Sequence, residues 1–472
     1  MKIEQIYTGC LAQGAYYIES NGEVAIIDPL REVAPYIEKV KAANARIKYI
    51  FETHFHADFV SGHLSLAKET GAPIIYGPNA NPSFDAIIAT DGQEFKLGNV
   101  TIKVLHIPGH TMESTTYLLR DQNGKDHAIF SGDTLFLGDV GRPDLAQKAA
   151  DMTQEQLAET LFDSLRTKIM PLSDDITVYP GHGAGSACGK NMMKETVDTL
   201  GNQKKMNYAL RADMTKEEFV KEVTDGLMPP PQYFPLNVKM NKEGYDHFDE
   251  VLERGSRPLS PEAFEDVANQ TGALVLDVRH QDDFVKGHIP RSIFIGLDGS
   301  FAPWVGALIA DIEQPLLLVT PEGIEEETIT RLARVGFDNT LGYLEGGFES
   351  WKEAGKEFDS IDTITAEALK PKVEAETAKV FDVRKDTEFY AHRIPTATNT
   401  PLDYLNHHLG DFPENEPFFV HCAGGYRSVI AGSILKSRGV HNFIDITGGF
   451  KAIEEAGVPL TNYVCPSTMP TK

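Results

Sequence analysis

The sequence predicts an α/β protein of three domains, and three observations predict it. Short apolar runs recur along the chain and alternate with stretches of helical period. In the first half, side chains of metal-ligand type follow several of those apolar runs closely. In the second half a pattern of about 100 residues occurs twice, too long for a solenoid repeat and the right size for a duplicated domain. At 472 residues the chain exceeds what one core holds, and its 41% hydrophobic content suits soluble domains.

Charge and cysteine usage exclude several functions. A net charge of −25 would repel a phosphate backbone, so nucleic acid is not expected as a partner. The cysteines are Cys10, Cys188, Cys422 and Cys465, none at C-x-x-C spacing, so neither a disulfide framework nor a zinc ribbon is expected. The N-terminal stretch lacks the apolar core of a signal peptide, and no apolar run approaches the ~18 residues of a membrane helix. The expected setting is cytoplasmic, with no membrane partner.

The N-terminal elements follow in order. Tyr16 to Ser20 and Val24 to Ile27 flank Asn21-Gly22, a hairpin signal. Residues 32–44 and 63–71 have helical period. Between them the buried run Tyr49-Ile50-Phe51 leads into Thr53-His54-Phe55-His56-Ala57-Asp58-Phe59, with Gly62 and His63 behind. Alternate positions at a strand end point to one side, so His54, His56 and Asp58 are expected to face one spot. Pro108-Gly109-His110-Thr111 lies 56 residues beyond His54, and Ser131-Gly132-Asp133-Thr134 lies 23 beyond His110; each follows an apolar strand. A fourth strand, Ile176 to Tyr179, ends in Pro180-Gly181-His182. Residues 153–170 and 215–226 read as helices, and Leu227 to Pro235 as extended because of its prolines.

This ordered set resembles the metallo-β-lactamase superfamily, which implies an αββα sandwich with metal at the sheet edges. One departure matters: the superfamily pattern is HxHxDH, and here Phe59, which has no lone pair to donate, stands for the last His. His63 could substitute from a helix start, or simply face solvent there. One metal is therefore expected, not two. Leu135 to Asp144, with Gly141-Arg142-Pro143-Asp144, narrows the resemblance to the persulfide dioxygenase branch. That branch implies Arg142 either bracing the metal-site loops or meeting an anionic substrate; pairing with Asp139 or Asp144 is the plainer alternative. The small-residue loop 181–190 would let a thiol carrier's head group approach the backbone. Cys188, within it, is either a packing residue or a thiol beside the site. The first domain is expected to span 1–248.

The repeat occupies the remainder. Leu274 to Arg279 matches Val380 to Arg384, Gly287-His288-Ile289-Pro290 echoes His392-Arg393-Ile394-Pro395, and Gly346-Gly347-Phe348 echoes Gly448-Gly449-Phe450. Alternating strands and helices indicate parallel sheets. Asp-Val-Arg, His-Ile-Pro and Gly-Gly in this order resemble the rhodanese-like sulfurtransferases, with domains expected at 250–360 and 361–472. In the second copy the strand Phe418 to His421 runs into Cys422-Ala423-Gly424-Gly425-Tyr426-Arg427-Ser428 and a helix. A Cys just before a helix N-terminus meets converging N–H groups and the positive dipole end, and Arg427 adds a charge. These favour thiolate, so Cys422 is expected to be a nucleophile assisted by Arg427, with Gly424, Gly425, Tyr426 and Ser428 cradling the sulfur. Cys422 to Arg427 spans six residues, the rhodanese size; the related phosphatase loop is one longer. In the first copy Pro321 stands in the Cys422 position and Glu326 in the Arg427 position, so residues 250–360 read as a silent copy that spaces the active domains or forms an oligomer contact.

The domain order resembles a multidomain persulfide dioxygenase–sulfurtransferase. The resemblance implies mononuclear non-haem Fe(II) on His54, His110 and Asp133, with His56, Asp58 and His182 around them orienting water or ligands. Of those three, His56 is the one expected to bind metal if any does. A facial triad leaves room for O₂ and a persulfide together, whereas tetrahedral zinc suits a hydroxide. The implied reaction oxidises a low-molecular-weight thiol persulfide to sulfite, which Cys422 converts to thiosulfate; self-association is also implied. The carrier thiol stays open among glutathione, coenzyme A and bacillithiol. Two alternatives remain: a zinc thioester hydrolase of the hydroxyacylglutathione type with an accessory rhodanese, and a sulfur relay or sensor.

Overall fold

A computed structural model describes residues 1–465. The chain divides into two compact units, one comprising Met1–Glu250 with Leu332–Gly336 and the other the remaining described residues.

The first unit is an αββα sandwich. One six-stranded sheet takes Lys2–Thr8, Gln13–Ser20, Glu23–Ile27, Arg46–Phe51, Ile74–Tyr76 and Ile87–Ile88 in chain order, antiparallel for three strands and parallel thereafter. The switch to parallel pairing follows from the crossover helix Ala34–Ala42. The hairpin forms at Asn21 and Gly22, both at positive φ (53° and 77°), the geometry of the tight turn the dipeptide favours. The second sheet runs Asp198–Thr199, Thr177–Pro180, Asp126–Gly132, Thr115–Arg120, Val100–His106 and Glu94–Leu97.

Strand period sorts the side chains by layer. Tyr16 and Ile18 join Phe51, Ile102, Val104, Tyr117 and Phe130 between the sheets, while Ala15 and Tyr17 turn outward onto Tyr36, Val40 and Leu66 of the covering helices. The other outer face packs Ile129 and Val178 against Ala158, Leu161 and Phe219 of the helices Gln154–Ser164 and Lys216–Thr224. Both of those helices open with a capping box, Thr153 with Gln156 and Thr215 with Glu218. The first continues as a turn of wider helix, Leu165–Ile169. The extended reading of Leu227 to Pro235 needs correction: irregular chain reaches Tyr233, and Phe234–Glu243 is a helix. Pro235 occupies its first turn, where a missing N–H costs nothing.

The second unit holds two sheets of five parallel strands with the same connectivity. Pro258–Leu259, Thr340–Leu344, Leu316–Val319, Leu274–Asp277 and Ile293–Phe294 make one. Thr363–Ile364, Phe443–Ile446, Phe418–His421, Val380–Asp382 and Thr398–Asn399 make the other. The strand order is identical in the two, as expected of a duplication. Among the described residues no helix is long and apolar enough to cross a membrane.

Candidate functional site

Strand ends and the loops that follow them assemble the first site. The strand Arg46–Phe51 stops before Glu52, and the segment 53–62 that follows is loop, not strand. The alternation expected at a strand end therefore does not hold, and the three ligand-type side chains separate. His54 joins His110 and Asp133; Asp58 joins His182 and Cys188; His56 turns to Asp28 and Glu52. All nine groups are buried. His56 Nε2 lies 3.1 Å from Asp28 Oδ1 and 3.6 Å from Glu52 Oε2, so His56 stands in a buried group of its own beside the His54 triad. One of these partners, Asp28, lies 28 residues earlier, and the other, Glu52, four residues earlier.

Hydrogen bonding settles which nitrogen of two imidazoles is free. Thr53 Oγ1 lies 2.8 Å from Asp28 Oδ2 and 3.0 Å from His54 Nδ1. Its single proton goes to the carboxylate, which only accepts, so the hydroxyl accepts from His54 Nδ1–H. His110 Nδ1 donates to the Arg142 carbonyl at 2.8 Å. Both rings thereby leave Nε2 with a lone pair. Burial, reinforced by His56, holds His54 well below the usual imidazole range and so neutral. The two Nε2 atoms lie 3.9 Å (His54) and 3.6 Å (His110) from Asp133 Oδ2, a buried oxygen with no hydrogen-bond partner. Two lone pairs and an orphan carboxylate oxygen facing one point repel each other unless a cation sits between them, so the donor set fits a metal ion.

His182 is held differently. Its Nδ1 donates to Asp133 Oδ1 at 2.8 Å, and its Nε2 lies 2.7 Å from Asp58 Oδ2. Burial opposes its protonation, but Asp133 and Asp58 outweigh it and raise His182 well above the usual range. Burial likewise works against Asp133 as an anion, and the charge and hydrogen bond of His182 overcome it, leaving the carboxylate well below its ordinary value. Phe59 fills the position of the missing imidazole, fully buried with its ring 4.3 Å from His56. Cys188 is beside the site, within the Asp58 and His182 group, and burial pushes its thiol up. His63 does begin a helix, but it does not face solvent: it is buried against Phe84 and Tyr245, with Nδ1 3.6 Å from Glu52, and burial depresses it to about 3.

Arg142 takes the bracing role. Its guanidinium forms two 2.7 Å bonds to Asp144, and reaches the carbonyls of Ala187 (3.2 Å) and Met228 (2.5 Å) at 5% exposure. Four of its five N–H groups are thus spent on the protein, which favours the bracing reading over the anion-binding one. Asp28 and Thr53 were not singled out from sequence, and Asp139, expected as a possible partner of Arg142, serves elsewhere. Asp139 accepts from the N–H groups of Lys190 (2.6 Å) and Asn191 (2.7 Å) and so anchors the loop 181–190. The readable signal for Asp28 was an acid at the end of a four-residue apolar strand. Gly132 is required where it stands: its φ is +52° and a Cβ would come 2.6 Å from Thr53 Oγ1.

The second site lies at the C-terminal end of the strand Phe418–His421. Cys422 is buried, and its Sγ accepts from Gly425 N–H at 3.1 Å. Gly425 caps the helix Tyr426–Ser437 at φ +101°, which a side chain would strain. Ser428 Oγ donates to Gly425 O at 3.1 Å, and Gly424 is exposed at the mouth. Arg427 departs from expectation: it forms a bidentate pair with Glu388 at 2.7 and 2.8 Å. Its charge is shared with that carboxylate while it still acts on Cys422, and backbone N–H groups and the helix end add to the positive character there.

Comparison with known proteins places both sites in families. The metallo-beta-lactamase superfamily matches residues 8–182, and the rhodanese-like domain matches twice, at 260–354 and 365–456. Human persulfide dioxygenase ETHE1 is 29% identical over 221 residues, which are 46% of this chain and 78% of that protein. Hydroxyacylglutathione hydrolase GloC of Haemophilus influenzae is 29% identical over 213 residues, 40% of this chain and 94% of that one. A solved metallo-beta-lactamase from Staphylococcus aureus subsp. aureus COL superposes with a TM-score of 0.65 at 29% identity, covering 73% of this chain and 98% of its own.

Proposed function

From a chain that carries a metallo-beta-lactamase superfamily domain and two rhodanese-like domains, we propose a persulfide dioxygenase that passes its product to a sulfurtransferase. What carries this reading is the triad of His54, His110 and Asp133, two lone pairs and one orphan oxygen facing a point, with Phe59 in the second metal position. In it, those three residues hold Fe(II), which when bound supplies open positions for O₂ and a persulfide sulfur. Similarity to the hydroxyacylglutathione hydrolase keeps zinc as the competing metal.

The chain's own residues do the rest. Thr53 and the Arg142 carbonyl fix the imidazole tautomers, so no ring proton has to move for a metal to bind. His182, protonated between Asp133 and Asp58, offers positive charge beside the site where anionic oxygen develops. The overall reaction is RSSH + O₂ + H₂O → RSH + sulfite + 2H⁺, four electrons passing from the outer sulfur to O₂. At the second site Cys422 thiolate attacks the sulfane sulfur of another persulfide and releases RS⁻. Sulfite then attacks the outer sulfur of the Cys422 persulfide, giving thiosulfate and restoring the thiolate. The Gly425 N–H holds the anionic sulfur in both steps. A reducing, cytoplasmic setting suits a chain in which Cys10, Cys188 and Cys422 make no disulfide. The proposed partners are therefore a small thiol persulfide, O₂, sulfite and thiosulfate, acting on a self-associating chain.

The test is metal analysis of anaerobically purified protein together with O₂ uptake on glutathione persulfide. One iron per chain and uptake are expected. Two zinc ions, no uptake and hydrolysis of a glutathione thioester would overturn the proposal in favour of the hydrolase.

A further inference from the structure

Within the second unit, the Cys422 helix is seated on the silent copy. The helix Tyr426–Ser437 runs beside the strand Ile293–Phe294: Phe294 N–H donates to Ser433 Oγ at 3.0 Å, and Lys436 Nζ meets the Asp359 carboxylate at 2.9 and 3.0 Å. At its first residue the contact is closest. Tyr426 OH donates to Gly296 O at 2.7 Å, and its ring meets Phe294 edge-on with centroids 5.9 Å apart. A Cβ on Gly299 would come 2.3 Å from the Tyr426 ring, so only glycine leaves room for it. Burial, with Asp298 nearby, raises the Tyr426 phenol above its usual range, which keeps it a donor.

Tyr426 directly follows Gly425, whose N–H holds Cys422 Sγ at 3.1 Å. The ring anchored on Gly296 is thus carried by the residue next to that donor. We propose that the 296–299 turn of the silent copy is a working part of the sulfur-transfer site, with Tyr426 a positioning residue that sets the Gly425 N–H against Cys422 Sγ. The silent copy has lost its own nucleophile, Pro321 standing in its place, yet it supplies the wall on which its sibling's loop is registered. This rests on the reading that Cys422 transfers sulfur.

The experiment uses the full chain and the variants Gly299→Val, Tyr426→Ala, Tyr426→Phe and the double variant Gly299→Val with Tyr426→Ala. The first readout is the pH–rate profile of iodoacetamide modification at Cys422, followed by peptide mass so that other thiols do not interfere. The second is kcat and KM for sulfur transfer from thiosulfate to cyanide. Gly299→Val and Tyr426→Ala should each move the profile's midpoint up by about half a unit or more and lower kcat roughly fivefold, because the thiolate loses a held donor. Tyr426→Phe keeps the ring and loses one hydrogen bond, so its shift should be smaller and of the same sign. Gly299→Val should add nothing to Tyr426→Ala, since the ring it collides with is gone. An unmoved midpoint in both Tyr426 variants overturns the proposal. So does a Gly299→Val effect that persists in full without the Tyr426 ring. Should Gly299→Val not fold, the Tyr426 pair decides alone. Midpoints that move in a protein with no transfer activity would support the positioning role and overturn the transferase reading instead.

Discussion

Thr53→Val isolates the tautomer argument on which the metal centre depends. Valine matches threonine in shape, so packing against Gly132 is kept and only the hydroxyl is lost. Two buried hydrogen bonds disappear, to Asp28 at 2.8 Å and to His54 at 3.0 Å. Asp28 Oδ1 keeps the Thr53 backbone N–H at 2.8 Å and His56 at 3.1 Å, while Oδ2 loses its one hydrogen bond, so part of the stability cost falls on Asp28 and metal affinity, not stability, is the readout. His54 Nδ1 loses its acceptor, and a buried donor without a partner costs about 1–3 kcal/mol. The ring relieves that cost by moving its proton to Nε2 or by rotating, and either takes the lone pair away from the metal. Loss of such a supporting contact typically lowers metal affinity about 10–100-fold, or roughly 1.4–2.7 kcal/mol. Competition with a chelator of known affinity, under anaerobic conditions, measures the change. Thr53→Ser retains the hydroxyl and should stay within about threefold of the parent. If Thr53→Val binds metal as tightly as the parent does, the hydroxyl does not orient His54 and the tautomer argument fails.

Three further outcomes are expected. Cys422→Ala should abolish thiosulfate formation while O₂ uptake and sulfite release continue; loss of both would mean the two chemistries are not separable. Phe59→His restores an imidazole beside His56 and near the Asp58 and His182 pair, and should raise zinc stoichiometry in the reconstituted protein from one toward two; a value still at one would show that something other than Phe59 excludes the second ion. Burial raises Asp445 from 3.8 to about 7. The folded state therefore holds a proton that the unfolded chain releases, and stability falls as pH rises from about 4 to 7. Asp445→Asn should remove that fall, a gain of at most roughly 4 kcal/mol above pH 7, read as a higher midpoint of thermal unfolding there and a vanishing difference near pH 4.

The layers were legible because strand period and the Asn21-Gly22 turn are local signals, and so was the grouping of His54, His110 and Asp133, since each sits just after an apolar strand. What was not legible depends on partners remote in sequence. His56 occupies the same motif as His54, but its direction is decided by Asp28, 28 residues earlier, and by Glu52. The charge of Arg427 looked available until Glu388, 39 residues before it, was found holding both nitrogens. Helix Phe234–Glu243 was hidden by a proline-rich approach, because prolines mark an extended chain and a helix start alike.

The two copies of the rhodanese-like domain separate what the fold needs from what the chemistry needs. Asp277 and Arg279 pair at 2.6 Å, with the guanidinium reaching Gly287 O at 2.8 Å; Asp382 and Arg384 pair at 2.6 Å, reaching His392 O at 2.7 Å. That brace survives in both, so it belongs to the fold. Counting from the same strand, Glu388 corresponds to Asp283 and Arg427 to Glu326. The second copy therefore has an acid and a base that pair across its loop, where the first has two acids, which cannot pair. Restoring only a cysteine at Pro321 would leave that pair missing and no Gly-Gly turn to deliver an N–H. The first copy thus differs from the second through the whole loop and not at one residue. A Pro321→Cys chain lacking Cys422 should accordingly transfer no sulfur from thiosulfate to cyanide, and measurable turnover from it would show that the surrounding cradle matters far less than the geometry at Cys422 implies.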